Sequence, residues 1–140
     1  MSFLLDTNVV SEGRKPSADA HVRAWYASVY SYELYLSVLV IGEIRQGIER
    51  LQRRDPVQAQ AYERWLGLLR AEYADRILPV TEDVAEEWGR LNAISPLPII
   101  DGLLAATAKV FGLTLVTRNT ADMARTGVSL LNPFLWLPEQ

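Results

Sequence analysis

Three aspartates and one glutamate stand where acids could work together. Asp6 ends the run Ser2-Phe3-Leu4-Leu5 and opens the polar string Asp6-Thr7-Asn8. An apolar strand that terminates in a carboxylate sets that acid at the carboxyl edge of a sheet, the edge where open α/β folds bind ligands. Asp101 falls near the start of an apolar helical pattern, and Asp122 falls just past the apolar run Leu113–Val116. Glu43 lies in a long helical pattern, roughly opposite the stripe of Ile41 and Ile48. Three or four carboxylates close together at neutral pH repel one another, and some would hold protons if left alone. A divalent cation removes that conflict. Magnesium takes few protein carboxylates, keeps several waters and binds phosphates; such an ion can activate water and stabilise charge on a phosphodiester. No histidine base is required, and the only histidine, His21, stands in a different part of the chain.

The elements that must position these acids alternate regularly. Phe3 to Leu5 reads as a buried strand, Asp19 to Val29 as a helix, and Leu34 to Ser37 as a second strand with Ser37 as the N-cap of the next helix. Val38 to about Arg53 reads as that helix, a long one carrying Ile41, Ile44, Ile48 and Leu51 on one face. Pro56 suits the start of another helix, with Ala59, Tyr62, Trp65, Leu66 and Leu69 on its pattern. Arg76 to Val80 reads as a third strand, interrupted by Pro79, and Thr81 caps a further helix. Ile94 to Pro98 is a proline-rich connection. Pro98 fits a first helical position, and the helix runs to Gly112, a natural C-cap. Leu113 to Val116 is a fourth strand, and Gly127 to Leu131 can add one more. Strands alternating with helices imply βαβ units and a mainly parallel sheet of four to five strands, in one α/β domain over residues 1–140. In such a sheet Asp6, Asp101 and the group Thr117, Asn119 and Asp122 share one edge although far apart in sequence.

Composition narrows the partners. The net charge is -3, with a pI near 5.2, so nucleic acid would have to be held by local features and not by bulk charge. Arginine dominates the cations, since only Lys15 and Lys109 are lysines; arginine pairs bidentately with phosphate and stacks on bases. The absence of cysteine excludes disulfides, thiolate metal sites and a cysteine nucleophile. The amino terminus lacks a basic segment and its apolar stretch is broken by Asp6, so it does not read as a signal peptide. No apolar run is long enough to span a bilayer. The expected compartment is the cytoplasm.

Four stretches together resemble a known family. Leu4-Leu5-Asp6-Thr7-Asn8-Val9-Val10-Ser11-Glu12, Ile41-Gly42-Glu43-Ile44-Arg45-Gln46-Gly47-Ile48, Ile100-Asp101-Gly102-Leu103-Leu104-Ala105-Ala106-Thr107-Ala108 and Leu115-Val116-Thr117-Arg118-Asn119-Thr120-Ala121-Asp122 stand in the order of the motifs of PIN-domain ribonucleases. The chain is most similar to the VapC and FitB-like toxins of bacterial toxin–antitoxin pairs. The resemblance implies a PIN-like three-layer α/β/α fold and a magnesium- or manganese-dependent endoribonuclease. It implies an acidic pocket of Asp6, Glu43, Asp101 and Asp122, with Asp6 and Asp101 as direct ligands. Asn8, Thr117 and Asn119 would orient those carboxylates or a metal-bound water. It also implies a cognate antitoxin, an RNA substrate and a homodimer, with DNA met only indirectly through the antitoxin. Two departures stand out: Gly13 where family members often carry Leu, and Ile100-Asp101-Gly102 where they often carry Pro-Asp-Ala. Gly102 is expected to weaken the helix start slightly.

Each residue also has a plainer reading. Asp6 could be a simple N-cap, Asp122 a cap of the turn at Met123-Ala124-Arg125, Asp101 a charge placed by the helix dipole and Glu43 a solvated acid. Arg45, Arg50, Arg53 and Arg54 read as a solvated helix end more readily than as a phosphate track. Arg118 could face substrate or form a surface salt bridge. The aromatic cluster Trp25, Tyr26, Tyr30 and Tyr32 suits core or a partner groove, and the antitoxin contact is expected there and on the Glu43 helix. Two other functions compete: a phosphatase or phospho-acceptor domain using Asp6, and a non-catalytic adaptor with a vestigial pocket. The phosphatase motif would want an aspartate where Asn8 stands.

Overall fold

The structure, a computed structural model, describes residues 1–94 and 96–138. Phe3–Leu5 forms β1, and Leu4 and Leu5 have no exposed surface. A strand covered on both faces reads as a continuous apolar run and not as an alternation. β1 pairs with β2 (Leu34–Ser37) through Phe3↔Leu34 and with β4 (Thr114–Val116) through Leu5↔Val116. β3 (Ile77–Leu78) adds to β2, and β5 (Leu130–Leu131) adds to β4. The sheet order is β3-β2-β1-β4-β5 and every pairing is parallel, at the upper end of the strand number expected.

Parallel neighbours need crossovers, and here each is helical. α1 (Thr7–Gly13) and α2 (Ala20–Ser28) lead from β1 to β2; α3 (Val38–Gln52) and α4 (Pro56–Glu72) lead on to β3. α5 (Glu82–Ile94) and α6 (Ile99–Phe111) carry the chain back to β4, and α7 (Thr120–Met123) with a 3-10 turn (Ala124–Thr126) leads to β5. The chain thus winds outward from β1 to β3, then restarts on the other side of β1. Right-handed crossovers put the connections of the two halves on opposite faces, which produces the helix–sheet–helix layering. The same reversal puts the topological switch point of an open α/β sheet at the carboxyl ends of β1 and β4.

Local chemistry sets the helix ends. Asp19, Ser37 and Asp55 cap α2, α3 and α4 by accepting hydrogen bonds from backbone N–H groups of the first turn. Thr81 does the same for α5 through Val84 N at 3.1 Å. Gly112 closes α6 in the left-handed region at φ 67°. Several expectations are corrected. Residues 6–8 are not merely a polar string: Thr7 opens α1, a seven-residue helix with Thr and Asn in its first turn. So short a helix has no periodicity to read; it is held by the Asp6 cap and by burial of Val9 and Val10. Pro98 is the N-cap of α6, so the helix begins at Ile99, one residue later than expected, and the Pro98 carbonyl accepts the first helical bond from Gly102 N. In the Ile94–Pro98 connection Ile94 still belongs to α5, and Ser95 lies outside the described residues. The third strand keeps only Ile77 and Leu78 of the range Arg76–Val80, because Pro79 has no N–H for the ladder.

The aromatic cluster divides between core and surface. Trp25 is 1% exposed and meets Phe3 edge-on, with ring centroids 5.3 Å apart; Tyr30 and Tyr32 stack on each other in the open. Trp25 therefore cannot touch a partner, contrary to the expectation that placed it in a docking surface. Among the described residues no helix is long and apolar enough to cross a membrane. Trp25→Ala is expected to cost about 3–5 kcal/mol of stability by emptying a core site, read as a lower urea midpoint; an unchanged midpoint would remove Trp25 from the core.

Candidate active site

Asp6 is the first residue beyond β1 and is 5% exposed. Its backbone N–H still belongs to the ladder and donates to Val116 O at 2.9 Å. Oδ1 accepts from Thr7 N at 2.7 Å, so the residue caps α1; Oδ2 accepts from Thr117 Oγ1 at 2.8 Å and, at 3.4 Å, from Asn8 Nδ2. Both oxygens are thereby aimed. Thr117 is fully buried one residue past β4, and its Oγ1 accepts from Asn119 N at 3.1 Å. Asn8 Oδ1 accepts from Arg118 N at 3.3 Å. These bonds stitch the ends of β1 and β4 together across the switch point. Asn8 and Thr117 touch Asp6 as the motifs imply. Asn119 contributes its backbone N–H, and its side chain is exposed.

The other acids arrive from helices. Glu43, on α3, accepts from Thr7 Oγ1 at 2.5 Å. Thr7 is a participant that sequence reasoning missed; its place beside Asp6 at a helix start was the available signal. Asp101 is the third residue of α6 and is half-buried, while Asp122 is exposed on α7. Asp122 lies inside that helix and not at the start of a following one, because Asn119 takes the N-cap position. Burial and neighbouring charge act on two of these acids. Burial pushes the Asp6 carboxyl above its ordinary value; the Thr117 hydroxyl and Thr7 N–H oppose this, and Glu43 adds to it. Burial also raises Asp101, and Asp6 and then Asp122 raise it further. The four acids form a repelling chain, Glu43–Asp6–Asp101–Asp122. Among the described residues no three carboxylate or imidazole groups close around one point as a ready-made metal cage. The donor set is all oxygen. It fits magnesium, which binds through one or two carboxylates and keeps its waters.

The remaining residues sort themselves. Gly102 is a seat and not a weak point: a Cβ there would meet Cδ1 and Nε1 of Trp88 at 3.1 Å. That indole N–H is the one buried side-chain polar atom without a partner among the described residues. Arg45 forms a two-pronged pair with Glu63 at 2.6 and 2.7 Å, joining α3 to α4, and Arg53 is the C-cap of α3; this basic stretch is structural where its contacts are seen. Arg118 makes no salt bridge among the described residues, and its guanidinium lies over the Phe134 ring, 4.2 Å from the centroid. His21 is exposed, with Nδ1 2.9 Å from Trp136 O.

A parallel sheet with acids from four elements toward the carboxyl ends of β1 and β4 defines an α/β protein whose candidate site lies at that edge. The PIN domain family profile matches residues 3–128. The sequence is 33% identical over 140 residues to Toxin FitB of Neisseria gonorrhoeae, covering 94% of this chain and 98% of that one. It is 32% identical over 144 residues to VapC ribonuclease Y4jK of Sinorhizobium fredii, covering 97% and 99%. A solved structure of FitAB bound to IR36 DNA fragment superposes with a TM-score of 0.86 at 30% identity, covering 99% of each chain. The chain belongs to the PIN domain family, as the motifs at Asp6, Glu43, Asp101 and Asp122 led us to expect.

Asp101 offers a test of the electrostatics. A carboxyl whose folded pKa is raised favours the folded chain while protonated, below its ordinary value of 3.8, and that contribution is lost as pH rises through the folded value. At neutral pH the burial of the charge and its repulsion by Asp6 and Asp122 all work against the fold. Asp101→Asn is therefore expected to melt at or above the wild-type temperature in metal-free buffer at pH 7, with the advantage shrinking on acidification. A clear drop in melting temperature at pH 7 would refute the repelling chain.

Proposed function

We propose that this chain is a metal-dependent endoribonuclease, the toxin of a toxin–antitoxin pair, built as one PIN domain over residues 1–140 and acting in the cytoplasm. The observation that carries the reading is the pairing of Asp6 with Asp101 at the switch point. Asp6 raises the proton affinity of Asp101, which is far from it in sequence, where an open sheet binds ligands. The relatives' names, a toxin and a VapC ribonuclease, support the same class. No observation favours the phospho-acceptor or adaptor readings.

Asp6 and Asp101 would hold magnesium or manganese directly, and Glu43 and Asp122 would complete the pocket or hold a water. The chemistry such an ion would supply when bound is Lewis-acid activation of water and neutralisation of charge on the phosphodiester. The chain's own residues do the positioning. Thr117 and Asn8 hold the Asp6 carboxylate against rotation, Thr7 fixes Glu43 against α1, and Asn119 N–H keeps the Thr117 hydroxyl pointing at Asp6.

A toxin that cuts RNA needs an antitoxin. A groove of about 430 Å³ runs beside α1, α2 and α4, lined by Val10, Arg14, Tyr26, Val29, Trp65 and Leu69 among others. We place the antitoxin segment there. Tyr26 belongs to the aromatic cluster singled out in the sequence, but α2 and α4 replace α3 as the main walls. DNA would be reached through that antitoxin, in keeping with the DNA-bound FitAB relative.

Asp6→Asn is expected to fold and to lose RNA cleavage to background, and chelation of divalent metal is expected to silence the wild type equally. Cleavage by a clean Asp6→Asn preparation would exclude the assignment. Thr117→Val, nearly isosteric in a buried position, is expected to lose about 10–100-fold in manganese affinity or cleavage rate; titration calorimetry with manganese checks it, and wild-type affinity would show that the hydroxyl does not support the site.

A further inference from the structure

We infer that Arg118 is the phosphate-gripping residue of this site, held ready by Phe134 to take a backbone phosphate of a single-stranded RNA. The assignment rests on the nuclease reading. An acidic protein of net charge -3 that presents four neighbouring carboxylates must bring a polyanion to them. Bulk steering works against that approach, so a cation is needed at the same edge. Arg118 is the cation built into the Asp6 network. It follows Thr117, whose hydroxyl binds Asp6, and its own N–H donates to Asn8, whose amide reaches Asp6.

Its side chain is prepared for the task. Thr117 N donates to Leu131 O at 3.0 Å, continuing the β4–β5 register, and the chain beyond β5 turns at once into the 3-10 turn Pro133–Leu135. That turn sets the buried Phe134 ring under the guanidinium at 4.2 Å. A guanidinium lying on a ring has one face covered and its N–H edge open. That edge matches two phosphate oxygens at once. Arg45 is paired with Glu63, and Arg76 is spent on the carbonyls of Ser31, Leu34 and Glu72. Arg118 is exposed and has no carboxylate partner among the described residues. Stacking fixes the side chain without neutralising it, so little rotamer freedom is left to lose on binding.

The test is anisotropy of a fluorescein-labelled single-stranded RNA of mixed sequence, with magnesium, in an Asp6→Asn background that cannot cut it. Adding Arg118→Ala is expected to raise Kd about tenfold for every sequence tried, and to lower the slope of log K against log salt by ~0.7, one single-strand phosphate contact. Arg118→Lys should keep the slope and lose part of the affinity. Arg118→Gln, neutral but planar, should behave as Ala. In the otherwise wild-type enzyme Arg118→Ala should raise KM far more than it lowers kcat. An unchanged Kd and slope in Arg118→Ala, or full affinity in Arg118→Gln, overturns the assignment while chelator-sensitive cleavage by the wild type keeps the nuclease reading standing. A wild-type chain that neither binds nor cuts RNA ends both.

Discussion

The hydrogen bond from Thr117 Oγ1 to Asp6 Oδ2 is the constraint on which the rest of the site depends. It joins the residue after β1 to the residue after β4, the two strands between which the sheet reverses its winding. A buried carboxylate is costly unless its oxygens are met by donors. Asp6 is almost fully buried, and its donors come from α1 on one side and from β4 on the other. The fold cannot close around Asp6 unless both halves are in place. The geometry of the acid therefore reports on the assembly of the whole sheet.

The donors do not cancel the cost. Asp6 remains harder to ionise than an ordinary aspartate despite the Thr117 and Thr7 bonds, because burial and Glu43 outweigh them. Asp101 has the same problem with fewer remedies, for burial, Asp6 and Asp122 all push its carboxyl in one direction. A structure optimised only for stability would not keep four acids in this order. Elsewhere the chain treats charge differently. Glu87, nearly buried between α5 and α6, is flanked by Lys109 and Arg90 and is held below the usual carboxylate range in spite of its burial. One acid is neutralised where it only holds helices together. Among the described residues Asp6, Glu43, Asp101 and Asp122 have no cationic side-chain partner, and perturbed carboxylates such as Asp6 and Asp101 mark a candidate functional site.

Much of this was legible in the linear sequence because the signals were local. Ser37, Thr81 and Gly112 sit where capping chemistry puts them, and the apolar runs at Phe3–Leu5 and Leu113–Val116 read as covered strands. Parallel pairing comes from the alternation of elements, and with it the gathering of Asp6, Asp101 and Thr117 at one edge. The features that escaped the reading depend on contacts between distant residues. α1 is stabilised by its cap and by buried Val9 and Val10, not by a pattern of its own. The bond from Thr7 to Glu43 spans thirty-six positions. Gly102 reads as a poor helix former until the Trp88 indole is found in the space its side chain would fill. Trp25 and Tyr30 look alike in sequence, yet one is core and the other is surface.

The two sides of the switch point divide the work. The β1–β2 side supplies Asp6, Asn8 and, through α3, Glu43; its helices α1 and α2 also wall the groove beside α4. The β4–β5 side supplies Thr117, Arg118 and Asp122, and adds Phe134 from the turn after β5. A segment lodged against α1 would lie on the helix that Asp6 caps and that Thr7 links to Glu43. Pressure on that helix would be felt at the acids directly, through two hydrogen bonds and not through the sheet. Arg118 belongs to the opposite half: its backbone N–H meets α1 at Asn8, while its guanidinium rests on Phe134. On the proposed reading, a partner at α1 and a phosphate at the Arg118 side chain would approach the same carboxylates from different sides.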